Sequence, residues 1–351
     1  MAALSRPDRV TVRGPLPGEG VGIASLWREL WDAHEAWGGY PGTRDARVYA
    51  EVARRLDDDA RVRGGHPILG RHVHLVADLA GAACGQVEGW FERHGIDPLT
   101  PFTCEVRSLV VTQRARHVGA GRALLEALAV SARSLSAGAP CVLAAEVLEP
   151  NPAQAFYERV GYSPVAYGAR LESAACRFAS AARASGAHAL SARVAVPHDA
   201  LAIARLETTL AARRRLAGDL RFDRPHALEA TVVGAIAAHL GAPAAAEGDP
   251  ATLVALDEAG EVRAAASFAV QALQPPFVPM RRALLGRFAV DPARPCAPLV
   301  GGLVALACRL ALSRAAPMLE LTDLSAPGSE LHAAAIATGA VPWSRVVTRL
   351  A

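Results

Sequence analysis

The chain contains no lysine and a single asparagine, Asn151, so all 37 of its basic residues are arginines. Without lysine there can be no P-loop, whose GxxxxGK[ST] pattern needs that amine at the phosphates. Abundant alanine and arginine beside so little lysine and asparagine reads as GC-rich codon choice, so the arginine count says little about function. An excess of one charge is also missing. The formal net charge is +3 over 351 residues with acids and bases interleaved, which excludes the broad basic footprint of a nucleic-acid binder. The six cysteines, at 84, 104, 141, 176, 296 and 308, lack CxxC spacing and a nearby histidine pattern. That excludes a zinc site and a disulfide framework and fits a reducing compartment, with no metal expected. The opening "MAALSRPDRV" has no apolar signal core and no run approaches a bilayer-spanning length, so the expected location is cytoplasmic with no membrane partner.

What is present is apolar surface: 52% hydrophobic against 20% charged residues describes a globular chain, and its length suggests two domains. A short strand at Val10–Val12 precedes "GIASLWRELWDAHEAW", where Ile23, Leu26, Trp27, Leu30 and Trp31 share one helical face. "ARVYAEVARRLDDDA" repeats the helical period, and "HVHLVADLAGAACGQVEGWF" reads as two strands turning at Asp78–Gly81. "FTCEVRSLVV" is a strand, followed by a helix from Gly119 burying Leu124, Leu125, Leu128 and Leu135. "PCVLAAEVLE" is a strand, "PAQAFYERVGY" a short helix and "PVAYGARLE" a strand. The segment "SAACRFASAARASGAHA" reads as a linker, giving domains 1–184 and 185–351. The second half resembles a worn copy of the first: "DLAG" at 78 matches "DEAG" at 257, and Val111 matches Val290, both at an offset of 179.

In "LVVTQRARHVGAGRALLEAL" (109–128) a strand runs through an arginine-rich turn into Gly119-Ala120-Gly121 and a helix. The first amides of a helix lack internal partners and carry its positive dipole end, so a glycine-lined start admits an anion, a phosphate being the natural guest. A dinucleotide-binding GxGxxG is excluded, because its third glycine is Leu124 here and the motif follows three strands. This string resembles motif A of the GNAT acyltransferases, with Arg116, Gly119 and Gly121 filling its pattern. "EVLEPNPAQAFYERVGY" resembles the family's motif B, and together the two cover Glu105 to Tyr162.

The resemblance implies an α/β fold (α+β) of two tandem GNAT-like domains, each a mixed, mostly antiparallel twisted sheet flanked by helices. It implies acetyl-CoA or another acyl-CoA as co-substrate, its diphosphate held by the amides of His117, Val118, Gly119, Ala120, Gly121 and Arg122 with Arg116 nearby. Leu109, Val111 and Asn151 complete the expected cofactor contacts, the last in doubt because Asn151 lies six residues before Tyr157 where the family has seven. A carrier-protein phosphopantetheine remains an alternative donor.

Acyl transfer to an amine requires a base for the ammonium, donors at the oxyanion and an acid for the thiolate. Glu105 lies where histone acetyltransferases carry their base, and Glu146 where ribosomal-protein N-terminal acetyltransferases carry theirs. By alternation Glu105 and Leu109 share a face that Cys104 does not, so direct attack is expected without an acyl-enzyme. A salt bridge from Glu105 to Arg107 is the competing role. Tyr157 is the expected general acid, a core aromatic its alternative. His72 and His74 share one face, as acceptor-pocket residues or as exposed polar edge residues.

Offset by 179, Arg116, Gly119 and Gly121 become Pro295, Pro298 and Val300, and aligning Gly161 with Gly339 sets Ala335 opposite Tyr157. The second copy should therefore not bind CoA and should serve structure, acceptor shaping or a homodimer contact. The expected activity is N-acyl transfer to a small-molecule amine, in specialised metabolism or resistance. The alternatives are a non-catalytic acyl-CoA-binding module and a protein N-terminal acetyltransferase.

Overall fold

The computed structural model describes residues 10–93, 101–172, 191–223, 229–242 and 250–351. The first half runs β1 (Thr11–Arg13), α1 (Gly20–Ala36), α2 (Ala46–Arg63), β2 (Ile68–Leu69), β3 (His72–Leu79), β4 (Ala82–Arg93), β5 (Phe102–Val111), α3 (Ala120–Leu135), β6 (Cys141–Leu148), α4 (Gln154–Arg159) and β7 (Ser163–Glu172). Apart from the two-residue β2, this is the order the hydrophobic periods predict. The second half runs β8 (Ala192–Val194), α5 (Ala200–Leu216), α6 (Glu229–Gly241), β9 (Ala251–Leu256), β10 (Val262–Ala272), β11 (Arg281–Val290), α7 (Cys296–Ser313), β12 (Met318–Leu324), α8 (Glu330–Ile336) and β13 (Val341–Leu350). The repeat is real at element level: β5 and β11 are offset by 179 residues at both ends. The expected boundary at 184/185 lies outside the described residues.

One mixed sheet runs through both halves in the order β1-β3-β4-β5-β6-β13-β7-β12-β11-β10-β9-β8, with β2 beside β3. Among the described strands only β5–β6 and β11–β12 are parallel. The two halves exchange their final strands: β13 lies between β6 and β7, and β7 lies between β13 and β12. Gly168 in β7 leaves room for the Ser344 hydroxyl of β13, from which an added Cβ would stand 2.4 Å.

The core of each half that packs under α3 or α7 is consequently built from both halves. Leu124, Leu125 and Leu128 of α3 pack on Leu75, Cys104 and Leu143 together with Val347 of β13, while Leu303 and Val304 of α7 pack on Phe268 and Leu285 together with Ala169 and Leu171 of β7. On the opposite face α1 and α2 bury Ile23, Val52 and Leu56 against Val76. Contrary to the expectation from hydropathy, α7 is long and apolar enough to cross a membrane by length and composition. Here it is the core helix of the second half, with Leu299, Val300, Leu303 and Val304 at most 1% exposed.

Alternation along β5 is broken. Ser108 adopts φ +51°, and the β4–β5 register shifts between Gln86/Val110 and Glu88/Arg107. The bulge puts Leu109 and Val111 into the α3-side core with Cys104 and Val106, so Leu109 does not share a face with Glu105 as strict alternation predicts. The same kink recurs 179 residues later, at Arg287 (φ +54°), beside a register shift between β10 and β11.

Candidate active site

The bulge is where the sheet opens. Pairing between β5 and β6 runs from Phe102/Cys141 to Val106/Ala145 and then stops, although β5 continues to Val111 and β6 to Leu148. The strands part beside the start of α3. Gly119, its N-cap, has φ +90°, the helix has no side-chain cap and its first turn carries no acid. His117 is also left-handed, at φ +70°. A left-handed start without a capping side chain keeps that end of the helix available to an external acceptor.

Gly121 serves packing: an added Cβ would meet Phe156 Cζ at 3.1 Å and Val111 Cγ2 at 3.7 Å, so α3 and α4 close on each other over the end of β5. Arg116 donates to the Val111 carbonyl at 3.3 Å and lies 3.6 Å from Glu29 of α1, while Val118 and Arg122 are exposed and Ala120 is buried. Asn151 spends its Oδ1 on the Ala153 amide at 2.9 Å, shaping the turn into α4. Tyr157, on α4, is buried among Phe156 and Tyr162, and burial holds its phenol well above the ordinary range. It therefore stays protonated at neutral pH.

The fold that carries these residues is matched by known proteins. Residues 24–162 match the model of the acetyltransferase (GNAT) family. The chain carries a GNAT fold. Over both halves it resembles a tandem GNAT protein from the clavulanic acid biosynthesis pathway, at 18% identity and a TM-score of 0.50, covering 98% of each chain. It also resembles a GCN5-related N-acetyltransferase from Sphaerobacter thermophilus, at 16% identity and a TM-score of 0.52, covering 99% of this chain and 97% of that one. No curated protein matches by sequence.

Within the GNAT fold the two expected bases stand differently. Glu105 Oε2 accepts from Arg107 Nε at 2.9 Å and from its Nη2, and the Arg107 guanidinium lies over the Trp90 ring. Glu146 is exposed, one residue past the last β5–β6 pair, and accepts from Ser344 Oγ of β13 at 2.6 Å. Cys104 is fully buried, and burial pushes its thiol far above the range in which a thiolate forms, so it is no nucleophile.

His72 and His74 are not edge residues, because β4 pairs with this end of β3 on one side while β2 and the Pro67 carbonyl cover it on the other. His74 is 1% exposed and bonded through Nε2 to Gln86 Oε1 at 2.9 Å. His72 Nδ1 faces Arg63 Nη2 at 2.6 Å and its Nε2 faces Glu88 Oε1 at 3.0 Å, with the ring stacked on Trp90. A guanidinium can only donate, so Nδ1 accepts and the proton sits on Nε2.

Sequence reasoning missed the seam beside Glu146. Tyr40, in the loop after α1, donates to Glu320 Oε1 of β12, and Arg282 of β11 donates to Glu320 Oε2 at 3.2 Å. Glu320 is 2% exposed; burial raises its carboxyl, Arg282 pulls it back and the Glu146 charge raises it again. Arg170 stacks on Trp343 at 3.8 Å alongside. These residues carry no shared motif and come from five separate stretches of chain, so only the tertiary structure brings them together. In the second half Pro295 caps α7 and Val300 and Ala335 are fully buried.

Proposed function

We propose that the protein is an N-acyltransferase whose first half takes an acyl-CoA and transfers the acyl group to the amine of a small molecule by direct attack. The observation that carries this is the opening between β5 and β6 beside an uncapped helix start, supported by the buried, protonated phenol of Tyr157 in the same core. In this reading the amides from His117 to Arg122, with Arg116, hold the diphosphate. The pantetheine runs along the parted strands past Leu109 and Val111, with Asn151 supporting the loop. Tyr157 protonates the departing thiolate while the amine attacks the thioester carbonyl and gives up its proton. Glu146 is favoured over Glu105 as the group that takes it, because Glu105 is engaged by Arg107 whereas Glu146 stands at the opening.

The domains are proposed as 1–184 for transfer and 185–351 for acceptor shaping through the Tyr40–Glu320–Arg282 seam. A role in specialised metabolism is proposed from the likeness to the tandem protein of the clavulanic acid pathway. The test is release of free CoA thiol from acetyl-CoA against a panel of amines and N-terminal peptides. Turnover with a small amine that Tyr157→Phe abolishes supports the proposal. Saturable CoA binding without turnover on any amine identifies a binding module instead, and turnover confined to peptides identifies a protein acetyltransferase.

A further inference from the structure

The second half keeps a cleft where β11 and β12 part, although its glycine turn is gone. These strands pair only from Ala283/Leu319 to Leu285/Leu321, and beyond them opens a cavity of about 350 Å³. Leu210, Phe288, Val290 and Leu331 give it apolar walls, and Tyr167 on the exchanged strand β7 closes one side. Such a volume lies at the lower end of small-molecule sites.

The cavity also holds positive charge. Arg214 is 5% exposed and donates to the main-chain oxygens of Val165, at 3.1 Å, and Asp323. Among the described residues neither Arg214 nor its exposed neighbour Arg213, which also lines the cavity, has a carboxylate within ion-pair distance. The other charged lining residues largely cancel: Asp291 is held by Arg263 at 3.4 Å and Arg294 by Asp257 at 3.5 Å, leaving Glu330 as the one acid without a partner there. The Arg214 guanidinium is bonded only to carbonyls, and the Asp323 and Asp219 carboxylates offset its charge only from beyond ion-pair distance while Arg221 and Arg287 add to it, so a further anion in the cavity is favoured. A diphosphate is disfavoured, because Pro295 brings no N–H to the start of α7 and Val300 replaces the glycine.

We propose that this cavity binds a small carboxylate on an aryl or branched-alkyl body, with Arg213 and Arg214 at the carboxylate and Leu210, Phe288 and Leu331 around the apolar part. The site is separate from the first-half opening and does not depend on acyl transfer there.

The test titrates the full-length protein calorimetrically with phenylacetate and with its uncharged isostere phenylacetamide, with and without saturating coenzyme A. Phenylacetate is expected to bind saturably at one site, at least about tenfold more tightly than the amide, and as well with coenzyme A present as without it. Arg213→Gln should weaken it by a similar factor, and Leu331→Trp, which fills the cavity, should abolish it. Arg214 is not the deciding position, because its guanidinium also ties β7 to β12. No saturable binding of phenylacetate, equal binding of the amide, displacement by coenzyme A, or undiminished binding by Leu331→Trp overturns the proposal.

Discussion

At the scale of single residues the chemistry depends on which groups burial leaves able to exchange a proton. Tyr157 is proposed as an acid because its phenol stays protonated. Tyr157→Phe should then lower thiol release by about 10²–10⁴-fold while leaving CoA affinity and melting temperature nearly unchanged, as calorimetry of both variants will show. His34 reports on the aromatic cluster at the end of α1, where it lies between Trp31 and Trp37. Burial lowers its pKa to about 4, so the unfolded chain takes up the proton first, near pH 6.5. Its contribution to stability is therefore complete above about pH 6.5 and declines as pH falls toward 4. Denaturant unfolding at pH 8 and pH 5 should show this decline in the wild type and a shallower one in His34→Phe.

Among elements, the joint between β5 and α3 matters most, and its two glycines have different tasks. Gly119 needs its left-handed backbone, and an added Cβ there would meet nothing within 4 Å. Gly119→Val should cost about 1–3 kcal/mol from backbone strain and weaken CoA binding, which titration of the variant will measure. Gly121 is limited by the Phe156 ring instead, so Gly121→Ala forces that ring to shift by a few tenths of an ångström. The bulge at Ser108 completes the joint, because it turns Leu109 and Val111 into the α3-side core at the place where β6 departs.

Across the whole molecule the exchange of β7 and β13 makes each half part of the other's core. Unfolding should therefore be one cooperative transition, with equal calorimetric and van't Hoff enthalpies. Leu128→Ala in the first core and Leu303→Ala in the second should each lower that single melting temperature, at about 2–5 kcal/mol apiece. Two separate transitions, with each substitution moving only one, would show that the halves are energetically independent. The seam sets Glu320 and Arg282 near Glu146, and on that placement the second half is proposed to shape the acceptor site.

Much of this protein is written in local sequence. The order of strands and helices follows from hydrophobic period, the repeat from short matches at a 179-residue offset, and the proposed phosphate cradle from glycines at a strand-to-helix turn, because each is read from short local stretches of residues. The remainder is long-range. A one-residue bulge reverses the facing of Leu109, the interior positions of His72 and His74 follow from β3 having neighbours on both sides, and the Tyr40–Glu320–Arg282 seam joins the loop after α1 to strands 240 and more residues away in the chain. Strand pairing across more than 190 residues is decided by which edges and cores fit one another, and no local pattern of residues encodes that choice.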